Sequence, residues 1–448
     1  MTDAAGLGDH ATSADDALNI FVAAQRFGDA PALISADRVL SFNQCAALVH
    51  AAMSAPRPSS RSTQPATVIT GEICIAGIIE IYTALARHQP LGIIHQKLAL
   101  AQAHTQRQQV AHATFAANTA VIVFTSGSTG EPRGVVLARH ALLAATTMSA
   151  AHVGWRADDR WALALSLAHV GGLNVVLRCL TAGKAVVLTP TLAQLGAALR
   201  TGTVTLASVV PTQVQDLLQE PTWHVASNVR ALLLGGAAAP QRLLDAGRSR
   251  NLPLVTTYGA SETCGQIVTA LCDAPTSKQG VGVALPGVQL EAGTALAPRA
   301  IVVRTPALFD GYLDDDRAIP RTEFITSDLG YIADDGSLVV IGRSDDIIIT
   351  GGENVHPSTI EQVLLTTQGV VEAVVFGTDD LRWGRCIGAA LVVDAQFNAP
   401  HAYARWRTEL APFERPRTLA FVPVLPRTAT GKIHRAAAAA LPRHPIKY

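Results

Sequence analysis

The strongest chemical signal is a loop of glycine and hydroxyl residues that directly follows an apolar, strand-like run. After Val121–Phe124 the chain continues with Thr125, Ser126, Gly127, Ser128, Thr129 and Gly130. Glycines let backbone N–H groups approach a phosphate closely, and hydroxyls add further donors. No GxxxxGK[ST] motif occurs, so this is not a Walker A loop. The composition alone also fits an ordinary flexible loop, but the preceding strand and the following cation, Arg133, favour a phosphate site.

A second polar segment, Thr257–Gly265, follows another apolar run and contains an aromatic and an acidic residue. The carboxyl ends of parallel strands are where open α/β sheets bind their ligands. There Tyr258 can stack on a base, and Glu262 can hold a Mg²⁺ ion that bridges phosphates. The alternative interpretation is a plain strand–loop–helix junction with a surface glutamate.

Two further segments lie nearer the C-terminus. Asp328 and Arg343 are polar residues of the kind that grip ribose hydroxyls in nucleotide sites. Between them, Asp334-Asp335-Gly336 is typical of a hairpin turn. The fourth segment, Leu425–Arg435, contains Lys432 after a glycine. Taken alone, such a lysine is more often a solvated surface residue.

In this order and with this content, the four segments resemble the adenylate-forming superfamily of acyl-CoA synthetases, peptide-synthetase adenylation domains and luciferases. The resemblance covers roughly residues 118 to 437, and no family motif is recognised before it. It implies a large α/β N-terminal domain, residues 1–344, and a small α+β C-terminal lid, residues 345–448. It also implies activation of a carboxylic acid with ATP and Mg²⁺ as an acyl-adenylate, followed by transfer of the acyl group to coenzyme A.

The resemblance further implies roles for individual residues. The loop from Thr125 to Gly130, with Arg133, corresponds to the phosphate loop, where the family usually has lysine in place of Arg133. Arginine is a planar fork rather than a point charge, so the geometry of its phosphate contact is left open. The remaining implied positions are Gly235 and Tyr258 in the nucleotide site, Glu262 at Mg²⁺, Asp328 at the ribose, Arg343, the hinge Asp345, the catalytic Lys432, and Gly351 and Gly352 along the pantetheine tunnel.

The acid substrate is indicated by two segments that are similar to the o-succinylbenzoate–CoA ligases of menaquinone biosynthesis. One is His169-x-x-Gly-Leu followed by Arg178, and the other is Glu-Thr-x-x-Gln-Ile-Val-Thr, residues 262–269. A second carboxylate on an aromatic acid requires a cation or several polar donors nearby. The candidate substrate contacts are therefore His169, Arg178, Gln266 and Thr269, with His169 also a candidate for catalysis. Alternatively, His169 packs at a strand end and Arg178 is a solvated helix charge.

Three other functions remain open at this point. Another aryl- or acyl-CoA ligase would share every catalytic motif. A free-standing adenylation domain would load a carrier protein, although no carrier-like module follows in this chain. A nucleotide-binding protein without catalysis is disfavoured because both Glu262 and Lys432 are present.

The elements that must position these residues are predicted to alternate between strands and helices. Strand-like runs occur at 120–124, 162–165, 185–188, 206–210, 231–234 and 253–257, with helical patterns between most of them, as at 191–200 and 211–219. This alternation predicts βα units and a mostly parallel sheet. Residues 280–344 read as short antiparallel or barrel-like strands, and a smaller α+β pattern follows residue 347.

Composition excludes some classes of function. The 448 residues carry 35 basic and 35 acidic side chains, which disfavours nucleic-acid binding. The sequence contains no run of about 18 apolar residues, so no membrane span is predicted. The N-terminus shows no secretory pattern, and the six scattered cysteines form no CxxC pair, so we expect free thiols and a cytoplasmic protein. The oligomeric state is left open, and a homo-oligomer is compatible with the sequence.

Overall fold

The computed structural model describes residues 16–54, 66–125, 132–270, 280–315, 321–428 and 432–446. Within these ranges, no helix is both long enough and apolar enough to span a bilayer. The five cysteines that fall in the described part of the chain are all free, as predicted, and four of them are buried.

The helices share a modest length, between five and 15 residues. They are α1 (Ile20–Phe27), α2 (Phe42–Ser54), α3 (Ile75–Ala86), α4 (Leu100–His112), α5 (Arg139–Val153), α6 (Val170–Ala182), α7 (Leu192–Thr201), α8 (Pro211–Leu218), α9 (Gln241–Ser249), α10 (Pro357–Leu365), α11 (Ala399–Glu409) and α12 (Arg435–Ala439).

The strands are β1 (Pro31–Ile34), β2 (Val39–Ser41), β3 (Thr67–Thr70), β4 (Leu91–Ile94), β5 (Thr119–Thr125), β6 (Arg133–Ala138), β7 (Arg160–Leu163), β8 (Ala185–Leu188), β9 (Leu206–Val209), β10 (Ala231–Leu234), β11 (Leu254–Ala260), β12 (Gly265–Thr269), β13 (Val283–Ala284), β14 (Gln289–Glu291), β15 (Arg299–Arg304), β16 (Gly311–Tyr312), β17 (Phe324–Ile332), β18 (Leu338–Arg343), β19 (Ile348–Thr350), β20 (Glu353–Val355), β21 (Val370–Asp380), β22 (Gly384–Val393), β23 (Thr418–Phe421) and β24 (His444–Pro445).

A nine-stranded sheet in the order β13-β12-β11-β10-β9-β7-β8-β1-β2 forms the larger framework. Its interior pairs, from β1 to β11, are parallel, and only β2, β12 and β13 at its two edges pair antiparallel. The strands are short and buried on both faces, which is typical of parallel strands covered by helices. The mixed α/β fold and the predicted parallel sheet are therefore confirmed.

A second, five-stranded sheet in the order β16-β6-β5-β4-β3 carries the predicted phosphate loop. Strands β3, β4 and β5 are parallel, whereas β6 pairs antiparallel with β5. Thr125 lies opposite Arg133 in this register, so the loop connects two adjacent antiparallel strands. Arg133 is thereby fixed beside Thr125, where β6 begins.

Helices and sheets stack in layers. The largest apolar cluster joins α3, α5 and α6 to both sheets, with Ile78, Leu142 and Leu173 fully buried between them. A second cluster packs α7, α8 and α9 on the other face of the nine-stranded sheet, and a third packs α4 on the outer face of the five-stranded sheet. Because both sheets are covered on both faces, polar chemistry is confined to the ends of the strands.

Strands β14, β15, β17 and β18 form an antiparallel four-stranded sheet, as the sequence predicts for residues 280–344. Two backbone hydrogen bonds connect Leu338 of β18 to Val281 and Gly282, just before β13. Its apolar face packs on Ile267 and Val268 of β12. The unit therefore closes partly on the nine-stranded sheet, and the predicted Asp334–Gly336 turn joins β17 to β18.

The chain after residue 347 forms a two-stranded sheet, β19-β20, and a mixed four-stranded sheet, β21-β22-β23-β24, with its own apolar clusters. It contacts the preceding part through α9, where the Arg242 guanidinium donates to the Val370 carbonyl oxygen. A second contact involves α10, where the Ser358 hydroxyl donates to the Ile341 carbonyl oxygen of β18. Both contacts are polar rather than a continuation of an apolar core.

Candidate functional site

The predicted site residues lie at the carboxyl ends of parallel strands in both sheets. Thr125 ends β5, Gly235 follows β10, and Tyr258 lies in the last part of β11, with Glu262 directly beyond it. A Cβ atom on Gly235 would lie 2.9 Å from Cγ2 of Thr257, so glycine allows the two strand ends to approach. The predicted phosphate-loop residues Ser126, Gly127, Ser128, Thr129 and Gly130 lie outside the described residues.

A hydrogen-bonded cluster brings Tyr258, Asp328 and Arg343 together. The Tyr258 hydroxyl donates to Oδ2 of Asp328 at 2.7 Å, and Nη1 of Arg343 lies 3.8 Å from Oδ1. Burial, followed by the charge of Asp328, raises the pKa of Tyr258, so the phenol keeps its proton. The Asp328 carboxylate is thus held in a fixed orientation, with acceptor capacity remaining for other hydroxyls.

Lys432 returns to this cluster from the C-terminal part of the chain. Its carbonyl oxygen accepts from the Thr428 N–H at 2.7 Å. Although the residue is exposed, desolvation and then the charge of Arg343 lower the pKa of its ammonium group, while Asp328 and Glu262 oppose the decrease. The ammonium of Lys432 therefore lies within electrostatic range of Arg343, Asp328 and Glu262.

Glu262 is partly exposed and belongs to a short 3₁₀ helix, Ser261–Thr263. The Tyr312 hydroxyl donates to its Oε1 atom at 3.0 Å. In the part of the chain that the structure describes, no cluster of three or more metal-ligating side chains exists. A Mg²⁺ ion bound mainly through substrate phosphates needs only one or two protein carboxylates. Glu262 fits that kind of site, and an all-protein metal site is not supported there.

Arg133 is held by three neighbours. Its Nη2 and Nε atoms donate to the two oxygens of Asp314 at 3.0 and 3.3 Å, and Nη2 also lies 3.4 Å from Asp315. Its guanidinium carbon lies 3.5 Å from the ring centroid of Tyr312. The hydrogen bonds to the carboxylates and the contact with the ring both depend on the planar guanidinium group of arginine, which lysine lacks.

His169 lies at the N-cap of α6 and is half-buried, in contact with His95. The ring centroids of the two histidines are 5.2 Å apart. Desolvation, together with the charges of His95 and Lys432, lowers the pKa of His169 to about 4. Desolvation also lowers the pKa of His95, whose Nδ1 accepts from the Lys97 N–H. Two neutral imidazoles therefore lie side by side near the lysine.

Arg178, two turns along α6 from His169, is buried rather than a solvated helix charge. Its guanidinium carbon lies 5.4 Å from the Trp161 ring centroid, and desolvation lowers its pKa to about 10. No described acidic side chain lies within ion-pairing distance, and its buried Nε atom has no hydrogen-bond partner in the described ranges. A buried cation without a counter-ion is costly, so an anion bound beside it would lower that cost.

Gln266 and Thr269 are buried on β12 and form a hydrogen bond with each other. Ser149 of α5 donates to Gln266 at 3.1 Å. One turn before Arg178, Asn174 donates to the Cys264 carbonyl at 2.7 Å and so ties α6 to the start of β12. The predicted acid-contact residues therefore belong to two packed elements, although no direct contact joins Arg178 to Gln266.

Gly351 and Gly352 are not brought to this cluster. They form the turn between β19 and β20, both with positive φ, and the Gly351 N–H donates to the Trp383 carbonyl at 3.0 Å. Asp345 lies in a short 3₁₀ helix, Ser344–Asp346, and accepts two hydrogen bonds from Arg343.

Sequence reasoning missed His95, Tyr312 and Asp314. His95 follows the buried strand β4, so the carboxyl-end rule was a usable signal for it. Tyr312 and Asp314 lie about fifty residues beyond Glu262 in a segment with no catalytic pattern, and only the pairing of β16 with β6 brings them to the loop.

Comparison with known proteins agrees with this geometry. The sequence model described as AMP-binding enzyme matches residues 60–313, and that of the AMP-binding enzyme C-terminal domain matches residues 359–432. The similarity thus begins well before residue 118, where no motif was recognised. The 2-succinylbenzoate–CoA ligase of Bacillus pumilus is 36% identical over 330 residues, which cover 71% of this chain and 68% of that protein.

Solved structures of the o-succinylbenzoate CoA synthetase of Bacillus subtilis are also similar. The complex with the acyl-adenylate intermediate OSB-AMP has a TM-score of 0.84 and 25% identity, covering 95% of this chain and 99% of that one. The complex with ATP and a magnesium ion has a TM-score of 0.80 and 25% identity, covering 94% and 98%.

Proposed function

The chain belongs to the AMP-binding enzyme family, and from this premise we propose that it is an ATP-dependent o-succinylbenzoate–CoA ligase. In the first half-reaction a carboxylate oxygen of the acid attacks the α-phosphorus of ATP, and pyrophosphate leaves. In the second, the thiol of coenzyme A loses its proton and attacks the acyl carbon, and AMP leaves.

For the first half-reaction we propose Lys432 as the catalytic residue. A carboxylate and a triphosphate repel each other, so a cation between them stabilises the charge that develops as they meet. The charges of Arg343, Asp328 and Glu262 all act on the pKa of Lys432, so its ammonium group lies within electrostatic range of the proposed nucleotide and metal sites. Asp328 and Glu262, which oppose the lowering of this pKa, favour the protonated form that the role requires.

We assign the nucleotide to the cluster of Tyr258, Asp328 and Arg343. Asp328 accepts hydrogen bonds from the ribose hydroxyls, while Tyr258 holds its carboxylate and presents an aromatic face to the base. Glu262 would hold Mg²⁺, which supplies charge neutralisation for the phosphates when bound. Gly235 leaves space at the neighbouring strand end, and Thr125 and Arg133 flank the phosphate loop.

The observation that carries the choice of acid is the buried guanidinium of Arg178, whose Nε atom has no hydrogen-bond partner among the described residues. A simple benzoate or a fatty acid has one carboxylate, which reacts, and leaves this cation without a partner. o-Succinylbenzoate has a second carboxylate that can accept charge-assisted hydrogen bonds from it. His169, neutral and half-buried, lies at the start of the same helix, and we propose it as a further polar contact for the acid, with Gln266 and Thr269 completing the polar lining.

For the second half-reaction we propose that residues 345–448 rotate as a lid on residues 1–344, with Asp345 as the hinge. Lys432 occupies the approach that the thiol needs, so one arrangement cannot serve both steps. Rotation would move Lys432 away from the acyl-adenylate and bring the turn of Gly351 and Gly352 toward it. In the present arrangement this turn lies away from the nucleotide cluster. The open space around Gly352 suits a narrow pantetheine chain.

The test is to incubate the protein with ATP, Mg²⁺ and coenzyme A against o-succinylbenzoate, benzoate and medium-chain fatty acids, and to measure AMP release. We expect turnover with o-succinylbenzoate that depends on coenzyme A. Turnover only with fatty acids would refute the proposed acid. Absence of coenzyme A-dependent turnover with every acid, with pyrophosphate exchange retained, would point to loading of a carrier protein instead. The proposed use of ATP and coenzyme A by this enzyme supports the predicted cytoplasmic location.

A further inference from the structure

Tyr312 contacts both charged residues that flank the phosphate region. Its hydroxyl donates to Oε1 of Glu262 at 3.0 Å, and its ring lies under the guanidinium of Arg133 at 3.5 Å. We propose that Tyr312 is a positioning residue that fixes Glu262 and Arg133 relative to each other for binding of the metal–nucleotide complex. This inference rests on the proposed function, because it concerns the same nucleotide site.

The ring of Tyr312 is itself held on several sides. Tyr312 belongs to β16 and pairs with Val135 of β6, and its N–H donates to Oδ2 of Asp315 at 2.9 Å. Phe309 packs edge-on against the ring, with centroids 4.9 Å apart. A side chain anchored through its backbone and one ring edge can orient two neighbours without moving to meet them.

The hydroxyl acts on Glu262. By occupying one carboxylate oxygen, it fixes the plane of the carboxylate and leaves the other oxygen available to a cation. In this pair the phenol O–H is the donor, because an ionised carboxylate can only accept. The Glu262 carbonyl is held as well, because it accepts from the Phe309 N–H at 2.9 Å.

The ring acts on Arg133. A guanidinium stacks on an aromatic face and retains its in-plane N–H groups for hydrogen bonds, which an ammonium cannot do in the same way. Here those in-plane groups donate to Asp314. The arginine that replaces the usual lysine of the family is thus matched to an aromatic platform, and the same platform carries the metal-site glutamate.

The experiment measures binding of a non-hydrolysable ATP analogue by calorimetry, with no acid present, first in EDTA and then with saturating Mn²⁺. The ratio of the two affinities is the metal increment. Tyr312→Phe removes only the hydroxyl, so we expect the metal increment to fall roughly tenfold, as for loss of a hydrogen bond to a charged group, with metal-free affinity unchanged. Tyr312→Leu removes the platform too, so metal-free affinity should also fall.

Arg133→Lys is the matched control for the ring. It keeps the charge and loses the stacking, so metal-free affinity should fall while the metal increment is retained. A Tyr312→Phe protein with the wild-type metal increment would overturn the inference, as would a wild-type protein with no increment. Because no acid is used, failure of the proposed substrate would not alter these results, and an unchanged increment would leave the substrate assignment standing.

Discussion

The guanidinium of Arg343 forms two hydrogen bonds to the carboxylate of Asp345, at 2.8 and 2.7 Å. The same guanidinium lies 3.8 Å from Asp328, the proposed ribose contact. One side chain therefore connects the nucleotide site to the proposed hinge. If a bound nucleotide draws Arg343 toward Asp328, its contact with Asp345 would weaken, and we expect nucleotide binding and hinge freedom to be linked.

The first prediction concerns Asp345→Pro. Proline fixes φ near −65°, which the 3₁₀ helix of Ser344–Asp346 tolerates but a rotating hinge does not. We expect pyrophosphate exchange to stay within a few-fold of wild type and thioester formation from isolated acyl-adenylate to fall at least tenfold. Asp345→Asn, which keeps backbone freedom, is the matched control and should retain both half-reactions. Equal losses of both half-reactions in the proline variant would argue against a hinge.

The second prediction concerns Lys432→Ala. Removing one preorganised charge from a desolvated site typically costs about 10²–10³ in rate, and we expect that loss in adenylate formation. Thioester formation from isolated acyl-adenylate should be nearly unchanged, since the residue is proposed to leave before that step. Pyrophosphate exchange and single-turnover thioester assays measure the two quantities. An alanine variant with wild-type exchange would rule out the role.

The third prediction concerns Arg178→Met. Methionine fills similar space without the buried charge, so the free protein should gain stability and show a higher Tm. At the same time kcat/KM for o-succinylbenzoate should fall roughly 10- to 100-fold through loss of charged hydrogen bonds, while that for a monocarboxylic benzoate should not. Arg200→Met, on α7 in an exposed ion pair with Glu220, is the control and should change neither ratio. Equal loss for both acids would contradict a second-carboxylate contact.

The fourth prediction concerns stability and pH at His169. Its pKa in the folded protein is about 4, below the ordinary value of 6.5, so the unfolded chain binds more protons between these values. The contribution of neutral His169 to stability is therefore present above pH 6.5 and is lost as the pH falls toward 4. Between pH 7 and pH 5 the Tm of both proteins should fall. We expect the fall to be larger for wild type than for His169→Asn, with a difference of roughly 2–4 °C. The exposed His224→Asn should show the wild-type slope.

Much of the fold and site was predictable because the informative residues act locally. A glycine-rich turn after an apolar run indicates the end of a strand wherever it occurs, so Thr125 and Tyr258 were placed correctly at carboxyl ends. The parallel sheet followed from strand and helix spacing alone. The proposed roles of Lys432 and Asp345 depend on family resemblance, since a single lysine or aspartate has no local signature.

The features of the fold and site that could not be predicted depend on contacts between residues that are far apart in the sequence. Tyr312 meets Glu262 across fifty residues, and His95 meets His169 across the boundary between two sheets. Whether Arg178 was solvated or buried depended on how α6 packs against Trp161, which helix periodicity does not reveal. The sheet order, with β1 and β2 inserted beside β8, likewise requires tertiary pairing.

Arg242 of α9 donates to the carbonyl oxygen of Val370 in β21, and burial lowers the pKa of its guanidinium. A contact of this kind, polar and confined to few groups, can be broken and remade on the timescale of turnover without exposing an apolar core. If residues 345–448 rotate as proposed, we expect this contact to influence the lifetime of the adenylate-forming arrangement. Helix α9 would then affect how the catalytic cycle is divided between the two half-reactions.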